Sequence, residues 1–410
     1  MRLVFCLYKY FPYGGLQRDF LRIALACAAR GHDIRVLTLE WQGARPPELD
    51  IEIVAVRGLT SPARYRRFSA AVQRRLARDP ADAVIGFNKM PGLDIYYAAD
   101  PCYAHKASTQ RGALYRLLPR YRHFLDYERA VFAPAAGTRI LMISDLQRPL
   151  FESHYGTPAE RFYPLPPGID TSRRAPPDAE AAAIRAAFRA DFGLASDQPL
   201  LLMIGSGFRT KGLDRVLHGL AALPPALAAT RLFVIGQDDP AGFQRLAGRL
   251  GVGARVRFFS GRDDVPRFLQ GADLLVHPAY SENTGTVLLE ALVAGLPVLT
   301  TANCGYAHHV GESGAGQVLP EPFRQTDFDG ALAALLAGDR AALRRQALAW
   351  AARADIYRLS ERAAELIEQL APGRLAPEQP APEQPAPGQP APGQLAPGQL
   401  APGRERRCGS

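Results

Sequence analysis

Short runs of apolar residues alternate with amphipathic stretches over most of the chain. Apolar runs of about four to eight residues predict buried strands, and apolar positions at helical spacing predict the helices packed beside them. The first such helix covers residues 17–29 and ends before Gly31. The predicted strands form two series, residues 2–8, 32–39, 51–56, 83–87, 93–99 and 139–143 in the first and residues 200–204, 231–235, 256–259, 272–277 and 297–300 in the second.

Strands that alternate with helices indicate parallel sheets covered by helices on both faces. Two such series predict an α/β protein with two doubly wound, Rossmann-like domains. A proline- and glycine-rich stretch at residues 164–170 separates the series. We therefore predict domains at residues 1–168 and 169–355, and a helix at 356–370 that returns to the first domain. Ligands of such sheets bind at the carboxyl ends of the strands, which predicts a site in the cleft between the domains.

The last part of the sequence is a repeat. Seven successive pentads related to LAPGQ occupy residues 370–404. Frequent proline removes backbone donors and favours an extended, solvated chain. We predict a disordered tail over residues 371–410 with no catalytic role, and a ligand for a proline-binding partner is the alternative.

The composition is that of a globular protein. The 410 residues are 47% hydrophobic and 22% charged, which allows large buried cores and excludes wholesale disorder. No apolar run approaches the ~20 residues of a membrane span. Residues 1–8 have neither a full apolar signal-peptide region nor a small-residue cleavage site, so we predict a first strand and a cytoplasmic protein. Five scattered cysteines without a CxxC spacing argue against a disulfide framework or a structural zinc site.

The richest chemical signal follows the predicted strand that ends at His277. A loop carries Glu282, and a helix that begins near residues 284–285 carries Glu290, eight positions after Glu282. Because Glu282 precedes the helix, the two carboxylates can contact opposite ends of one extended ligand. The free amide groups at the helix start suit a diphosphate between them. The alternative is an ordinary strand–helix–strand unit with two structural glutamates.

This segment resembles the E-x7-E motif of the retaining glycosyltransferases of family 4, whose two-domain architecture is the GT-B fold. Residues 5–19, 86–94 and 304–308 are similar to a narrower group, the lipopolysaccharide core glucosyltransferases that add the first outer-core hexose to an inner-core heptose. The resemblance extends to about residue 370 and excludes the tail. It implies a UDP-sugar donor, a lipopolysaccharide inner-core acceptor, an α-linkage formed with retention, and no cofactor. Neither Asp-Asp pair of the second domain is the D-x-D of metal-dependent transferases, so we expect no metal.

The resemblance also assigns roles to single residues. Gly14 and Gly15 open the first helix, where the lack of side chains lets a phosphate or sugar approach the backbone. Asp19 is expected to act on the acceptor hydroxyl, the alternative being a favourable acid in a first helical turn. Glu282 is expected to orient the donor sugar as a catalytic residue. The other donor-binding residues implied are Asn283, Thr284, Gly285 and Thr286 for the sugar, Glu290 for the ribose and Arg262, otherwise a surface residue in a turn, for the uracil.

Two positions depart from the family pattern. Lys211 matches the lysine that neutralises the departing diphosphate. The arginine expected directly before it is replaced by Thr210, and the nearest arginine is Arg209, which we expect to share the role. Relatives carry a His-Asp pair where this chain has Ala99 and Asp100, which leaves Asp100 as the catalytic candidate there.

Residues 103–129 combine basic and aromatic side chains in a chain whose net charge is +9. Such a mixture suits anionic lipid headgroups, and it also suits nucleic acid or a helical insertion that covers the first sheet. Since the implied acceptor is anchored in lipid, we favour peripheral binding to the inner face of the cytoplasmic membrane and expect no nucleic acid. The residues expected to face the membrane are Lys106, Arg111, Tyr115, Arg116, Arg120, Tyr121 and Arg122.

The sequence therefore predicts a metal-independent, retaining hexosyltransferase that moves glucose, or alternatively a hexosamine, from a UDP-sugar to lipopolysaccharide heptose. A GT-B-fold epimerase of UDP-hexosamines is a rival that needs no lipid acceptor. A nucleic-acid-binding module would leave the paired glutamates unexplained. An NAD-dependent dehydrogenase is disfavoured because residues 205–212 lack the third glycine of the dinucleotide fingerprint, and a P-loop is disfavoured because Gly212 stands in place of Ser or Thr.

Overall fold

The computed structural model describes residues 1–12 and 14–372, and the predicted tail beyond residue 372 lies outside the described residues. Seven parallel strands form the first sheet of the described part. They are β1 (Arg2–Tyr10), β2 (Asp33–Trp41), β3 (Asp50–Ile53), β4 (Ala83–Gly86), β5 (Ile95–Ala98), β6 (Arg139–Met142) and β7 (Phe162–Pro164). Their order across the sheet is β3-β2-β1-β4-β5-β6-β7. This is the doubly wound arrangement, with its switch point beside β1.

Helices cover both faces of this sheet, and the central strand β1 is therefore buried along most of its length. On one face Phe5 packs against Phe20 and Phe87 in edge-on and stacked aromatic contacts. On the other face Phe68 and Tyr96 are fully buried. The helices of this domain are α1 (Gly15–Ala29), α2 (Ser61–Arg78), α3 (Tyr103–Gln110), α4 (Pro119–Phe132) and α5 (Arg148–Tyr155).

Six parallel strands form the second sheet of the described part. They are β8 (Leu200–Ile204), β9 (Arg231–Ile235), β10 (Val256–Phe259), β11 (Leu274–His277), β12 (Val298–Thr301) and β13 (Gly316–Leu319), in the order β10-β9-β8-β11-β12-β13. The accompanying helices are α6 (Asp178–Asp191), α7 (Leu213–Ala222), α8 (Ala241–Arg249), α9 (Val265–Gly271), α10 (Thr286–Val293), α11 (Ala307–Ser313), α12 (Gln325–Ala337) and α13 (Arg340–Ala351). The predicted pair of doubly wound sheets is confirmed.

The sequence analysis does not predict β7 or β13, and each of these strands lies at the edge of its sheet. β7 contains three residues and ends in Pro164, so it offers no apolar run. β13 begins with Gly316 and Gln317, which carry no apolar side chain. Both strands are held by pairing with a more buried neighbour and not by their own hydrophobicity.

The last described helix, α14 (Leu359–Leu370), packs against α1 of the first domain. Leu359, Ala363 and Ile367 belong to the same core as the strands of the first sheet, and so does Ala371, which the sequence analysis had placed in the tail. The Glu368 carboxylate accepts hydrogen bonds from the Arg30 guanidinium, at 2.6 and 2.9 Å. The chain therefore crosses between the two sheets twice.

Membrane-spanning helices are absent from the described part of the chain, because none of its helices has both the length and the apolar character that a span requires.

Candidate active site

A cavity of about 230 Å³ lies between the two domains, where the first turns of α1 and of α10 face each other. Asn283 also joins the two sides, since its side-chain amide donates a hydrogen bond to the Ala99 carbonyl oxygen at 2.6 Å. The residues that line the cavity are Gly15, Arg18, Asp19, Arg22, Ile143, Gly168, Ile169, Asp170, Arg173, Thr284, Thr286, Glu290, Tyr306 and Leu359. The cavity is the cleft that the strand order predicts.

Glu282 occupies the loop between β11 and α10, where backbone hydrogen bonds to the loop after β12 fix it. Its amide donates to the Asn303 carbonyl oxygen at 3.0 Å, and its own carbonyl accepts from Gly305 at 3.2 Å. The Glu282 carboxylate forms an ion pair with the Lys211 ammonium, and the His277 Nε2 atom lies 3.6 Å from the same oxygen. Three groups, from two loops and the end of β11, thus converge on one point.

The loop that carries Lys211 approaches the β11 loop through a glycine. Gly212 has a φ of 79°, and a Cβ atom at this position would lie 2.1 Å from the Pro278 carbonyl oxygen. Only glycine fits both the left-handed backbone and this close contact. Gly212, which breaks the P-loop pattern, is therefore also the residue that lets the loop bring Lys211 to Glu282.

Glu282 is ionised at neutral pH. Burial alone would raise the pKa of its carboxyl group, but the neighbouring His277 imidazole and the Lys211 ammonium lower the pKa to about 2. His277 is fully buried, and this burial lowers the pKa of its imidazole. The site therefore holds a fixed carboxylate that accepts hydrogen bonds and cannot act as a proton donor near pH 7.

Glu290 lies one turn inside α10. The helix is capped by Gly285, whose φ is 82°, and no side chain occupies the amide groups of its first turn. Thr284 and Thr286 flank that turn at the cavity. The Arg173 guanidinium lies 3.8 Å from the Glu290 carboxylate, and burial raises the pKa of that carboxyl group. The amide groups and the arginine together provide positive potential for an anion in the cavity.

Asp19 enters the cavity from the opposite side, on α1. Its carboxylate accepts a hydrogen bond from the Tyr97 hydroxyl at 2.8 Å, and burial raises its pKa despite that bond. Gly15 also lines the cavity and has open space where a side chain would stand, whereas Gly14 packs against the Gln17 side chain. Asp19 and Gly15 are thus placed for contact with a ligand, and Gly14 serves the local turn.

Eight predicted site residues are not among those that line this cavity: Gly14, Lys211, Glu282, Asn283 and Gly285, described above, and Arg209, Arg262 and Asp100. Arg209 is exposed and lines a neighbouring depression with Tyr280 and Ser281. Arg262 pairs with Asp264 through two hydrogen bonds of 2.6 and 2.8 Å. Asp100 is exposed, and its carboxylate has no hydrogen bond or ion pair among the described residues.

Sequence reasoning missed several residues of the site. Arg18 and Arg22 are four positions apart in α1, a spacing that puts them on one helix face, so the sequence did contain this signal. Arg173 and Tyr306 come from a linker and from the loop after β12, and only the tertiary structure brings them to Glu290 and Asp19. His277 ends a predicted strand, and its place in the sequence pattern does not mark it as a partner of Glu282.

The predicted membrane-facing segment is built from α3, a short 3-10 helix (Ala113–Leu117) and α4. Leu114 and Leu117 are 79% and 68% exposed, which is unusual for leucine. The five basic residues predicted to face the membrane are also exposed, and Tyr115 and Tyr121 are half-buried beside them. The segment therefore presents apolar and cationic side chains to solvent together.

A buried charge network holds this segment to the first domain. The Glu128 carboxylate, which is fully buried, accepts hydrogen bonds from the Lys89 ammonium at 2.5 Å and the Tyr155 hydroxyl at 2.6 Å. It also accepts from the backbone amides of Tyr103 and Ala104 at 2.8 and 2.9 Å. Since these two residues begin α3, Glu128 of α4 caps the neighbouring helix.

Two facing doubly wound sheets, with a glutamate pair of this spacing at the cleft, define a glycosyltransferase of the GT-B fold. The family profile described as glycosyl transferases group 1 matches residues 184–354, and the profile of glycosyltransferase family 4 matches residues 13–173. The chain is 48% identical over 370 residues to the lipopolysaccharide glucosyltransferase WaaG of Escherichia coli K12, which covers 90% of this chain and 98% of that protein. The chain belongs to the family of this lipopolysaccharide glucosyltransferase, and the resemblance drawn from the motifs is confirmed.

Comparison with solved structures supports the same fold. The crystal structure of WaaG, described as a glycosyltransferase involved in lipopolysaccharide biosynthesis, has a TM-score of 0.82 at 48% identity and covers 89% of this chain and 99% of its own. The Anabaena protein HepE, solved in complex with UDP and glucose, has a TM-score of 0.68 at 18% identity and covers 90% of this chain and 100% of its own, which supports the shared fold. A D-inositol 3-phosphate glycosyltransferase of Nocardia farcinica is 34% identical over 225 residues, about half of each chain.

Proposed function

We propose that this enzyme transfers a glucosyl group from UDP-glucose to a heptose of the lipopolysaccharide inner core, forming an α-linkage with retention of configuration. The observation that carries the proposal is the convergence of Lys211 and His277 on an ionised Glu282, beside a helix that carries Glu290. Family membership at 48% identity over nearly the whole relative supports the same reaction class.

The leaving diphosphate needs positive charge as the bond between the sugar C1 atom and the phosphate oxygen breaks. Lys211, Arg173 and the uncapped amide groups of α10 can supply it. Such preorganised electrostatic stabilisation is commonly the largest contribution to catalysis. Glu282 would orient the sugar hydroxyl groups, because its carboxylate stays ionised and has no proton to give to the leaving group.

The acceptor hydroxyl attacks the same face of the sugar that the diphosphate leaves. A new bond forms between C1 and the acceptor oxygen, and the departing phosphate oxygen takes the acceptor proton. Asp19 would hold the acceptor hydroxyl by hydrogen bonding, since Tyr97 fixes its carboxylate at the cavity. Closure of the cleft, for which Asn283 provides a contact to the first domain, would exclude water from this step.

We also propose that the segment of α3 and α4 binds the anionic inner face of the cytoplasmic membrane. Exposed leucines give apolar contact with the acyl boundary, and the surrounding arginines attract anionic headgroups. Such binding would bring the cleft to an acceptor that is itself anchored in lipid.

The test is UDP release by the purified protein with a panel of UDP-sugars, in EDTA, with and without heptose-terminated lipopolysaccharide. We expect acceptor-dependent release with UDP-glucose and a loss of at least about 100-fold in Glu282→Ala, by analogy with other removed electrostatic groups. Glu312→Ala, which removes an exposed glutamate elsewhere in the second domain, is the matched control.

Each other outcome counts against a stated part of the proposal. Release with a UDP-hexosamine alone would correct the donor. Sugar turnover that ignores the acceptor would indicate an epimerase. Loss of activity in EDTA that added metal restores would overturn metal independence.

A further inference from the structure

The second domain contains another cavity, away from the cleft. It has a volume of about 370 Å³ and lies between α6, α9 and α13, below the start of β12. The residues that line it are Asp178, Ala181, Ala182, Arg185, Leu269, Gln270, Ala272, Gly295, Leu296, Pro297, Arg340, Ala341, Arg344, Arg345 and Leu348. Its volume falls within the range of small-molecule sites.

More arginine side chains surround this cavity than there are carboxylates to pair with them. Arg185, Arg189 and Arg340 all surround the single carboxylate of Asp273, at 2.6, 3.4 and 2.9 Å. One Asp273 oxygen also accepts the Leu200 backbone amide at 2.8 Å. Three guanidinium groups therefore share one carboxylate that already has a backbone partner.

Two further arginines add to this charge from α13. Arg344 donates to the Ala294 carbonyl oxygen at 2.9 Å, and its nearest acid is Asp178, at 3.4 Å and 90% exposed. Arg345 is exposed and has no ion pair among the described residues. Five guanidinium groups thus stand against two carboxylates, one of them nearly free in solvent.

Backbone carbonyl oxygens satisfy the two inner arginines, since Arg185 donates to those of Gly271 and Ala272 and Arg189 to those of Ala195 and Gly271. Arg185 is mostly buried, and burial, with the like charges of Arg340 and Arg189, lowers the pKa of its guanidinium despite Asp273. Arg344, whose nearest acid is the exposed Asp178, and Arg345, which has no ion pair among the described residues, are therefore the arginines left to bind a further anion. An anion in the cavity would relieve the repulsion between these groups.

We propose that this cavity is a binding site for a phosphorylated small molecule with an apolar or planar body. Guanidinium groups pair with phosphate oxygens through two parallel hydrogen bonds, which makes Arg344 and Arg345 suitable phosphate partners. Leu269, Leu296 and Leu348 give the same cavity an apolar part. One end of the ligand would therefore be anionic and the other would pack against leucine.

The site is separate from the cleft. Ala272 and Pro297 line the cavity just before β11 and β12, whereas Glu282 follows the opposite, carboxyl end of β11. A four-residue strand separates its two ends by about 10 Å. Occupants of the two sites would not touch, so binding here does not depend on the proposed transferase reaction.

The experiment is isothermal titration calorimetry of the full-length protein with inorganic pyrophosphate and with ADP. The double variant Arg344→Gln with Arg345→Gln should bind each probe about tenfold or more weakly. Each lost charge-assisted hydrogen bond accounts for a change in affinity of that size. Arg245→Gln with Arg249→Gln, which removes two exposed arginines of α8, should leave the affinities unchanged. ADP should bind more tightly than pyrophosphate because it also fills the apolar part.

Four results would overturn the proposal: no binding of either probe, unchanged affinities in the α13 double variant, equal weakening by the α8 variant, or equal affinities for ADP and pyrophosphate. Thermal unfolding of each variant checks that it is folded. If the double variant does not fold, Arg345→Gln alone decides the matter, because its exposed side chain has no partner among the described residues.

Discussion

At Glu282, burial and pairing act in opposite directions on one carboxyl group. Burial disfavours the charged form, while Lys211 and His277 favour it strongly enough to lower the pKa from 4.5 to about 2. The cleft thus stabilises a charge that the surrounding protein would otherwise expel. A charge held in this way costs little reorganisation when a sugar arrives, which is what orientation of a donor requires.

This pairing predicts a pH-dependent stability. Because the folded-state pKa of Glu282 lies below its ordinary value, the carboxylate stabilises the fold fully above about pH 4.5, and this contribution is lost as the pH falls towards about 2. The free energy of unfolding of wild type should therefore exceed that of Glu282→Gln by on the order of 3 kcal/mol above pH 4.5, and the difference should shrink in acid. Urea denaturation between pH 2 and pH 7 measures it. A gap that stays constant over this range would contradict the assignment.

Among the elements, α3 depends on a neighbour for its N-terminus. Glu128 caps α3 and neutralises Lys89 at the same time, so Glu128→Gln would leave a buried ammonium without its counter-charge. Losing one partner of a buried pair typically costs about 3–5 kcal/mol. The free energy of unfolding, measured with denaturant, should fall by this amount.

A matched control for that experiment is Glu152→Gln. Glu152 pairs with Arg148 within α5, and both side chains are well exposed. Such a surface pair contributes about 1 kcal/mol or less. Equal losses in the two variants would show that the Glu128 network has no special role in holding the segment.

The exposed leucines of the same segment predict membrane affinity at the scale of the element. Leu114→Ser with Leu117→Ser should leave stability nearly unchanged, because neither side chain is buried in the fold. Binding to vesicles of anionic lipid should weaken about tenfold or more, since each leucine buried at the interface contributes up to roughly 1.5–3 kcal/mol. Co-sedimentation with vesicles measures this. Leu59→Ser, at a fully exposed leucine outside the segment, should bind like wild type.

At the scale of the whole molecule, α14 predicts how far the chain can be shortened. A chain that ends after residue 372 keeps this helix and should retain wild-type stability and activity. A chain that ends after residue 358 loses Leu359, Leu366 and Ile367 from the core of the first domain. At about 1.5–3 kcal/mol each, that loss approaches the 5–15 kcal/mol net stability of a typical protein. Soluble yield and thermal unfolding compare the two, and equal stability would contradict the role of α14.

The sequence identified the site residues that lie close to one another along the chain. Glu282 and Glu290 belong to one strand–helix unit, so their spacing alone placed both at the carboxyl end of β11. Arg173 and Tyr306 reach the cavity from distant parts of the chain, and no spacing within the sequence records that proximity. Arg209 shows the reverse case: it is close to Lys211 in sequence, but it lines a separate depression and takes no part in the ion pair at Glu282.

The fold was predictable for the same physical reason. Central strands such as β1 and β8 are buried on both faces, and this burial demands the apolar runs that the sequence displays. Edge strands are less buried and do not need such runs, so β7 and β13 could not be recognised from hydrophobicity. The order of the strands follows from parallel pairing and right-handed crossovers more than from any single residue.

The position of α14 also affects how the protein folds during its synthesis. The helix is the last described element, yet it completes the core of the first domain, so the second domain is in effect an insertion within the first. A ribosome releases the amino-terminal part first, and domains generally fold as they emerge. Here the domain that is synthesised first must wait for the final helix, with an apolar face of α1 still uncovered. The second domain completes its fold earlier, and a nascent chain has no finished cleft until α14 has been made.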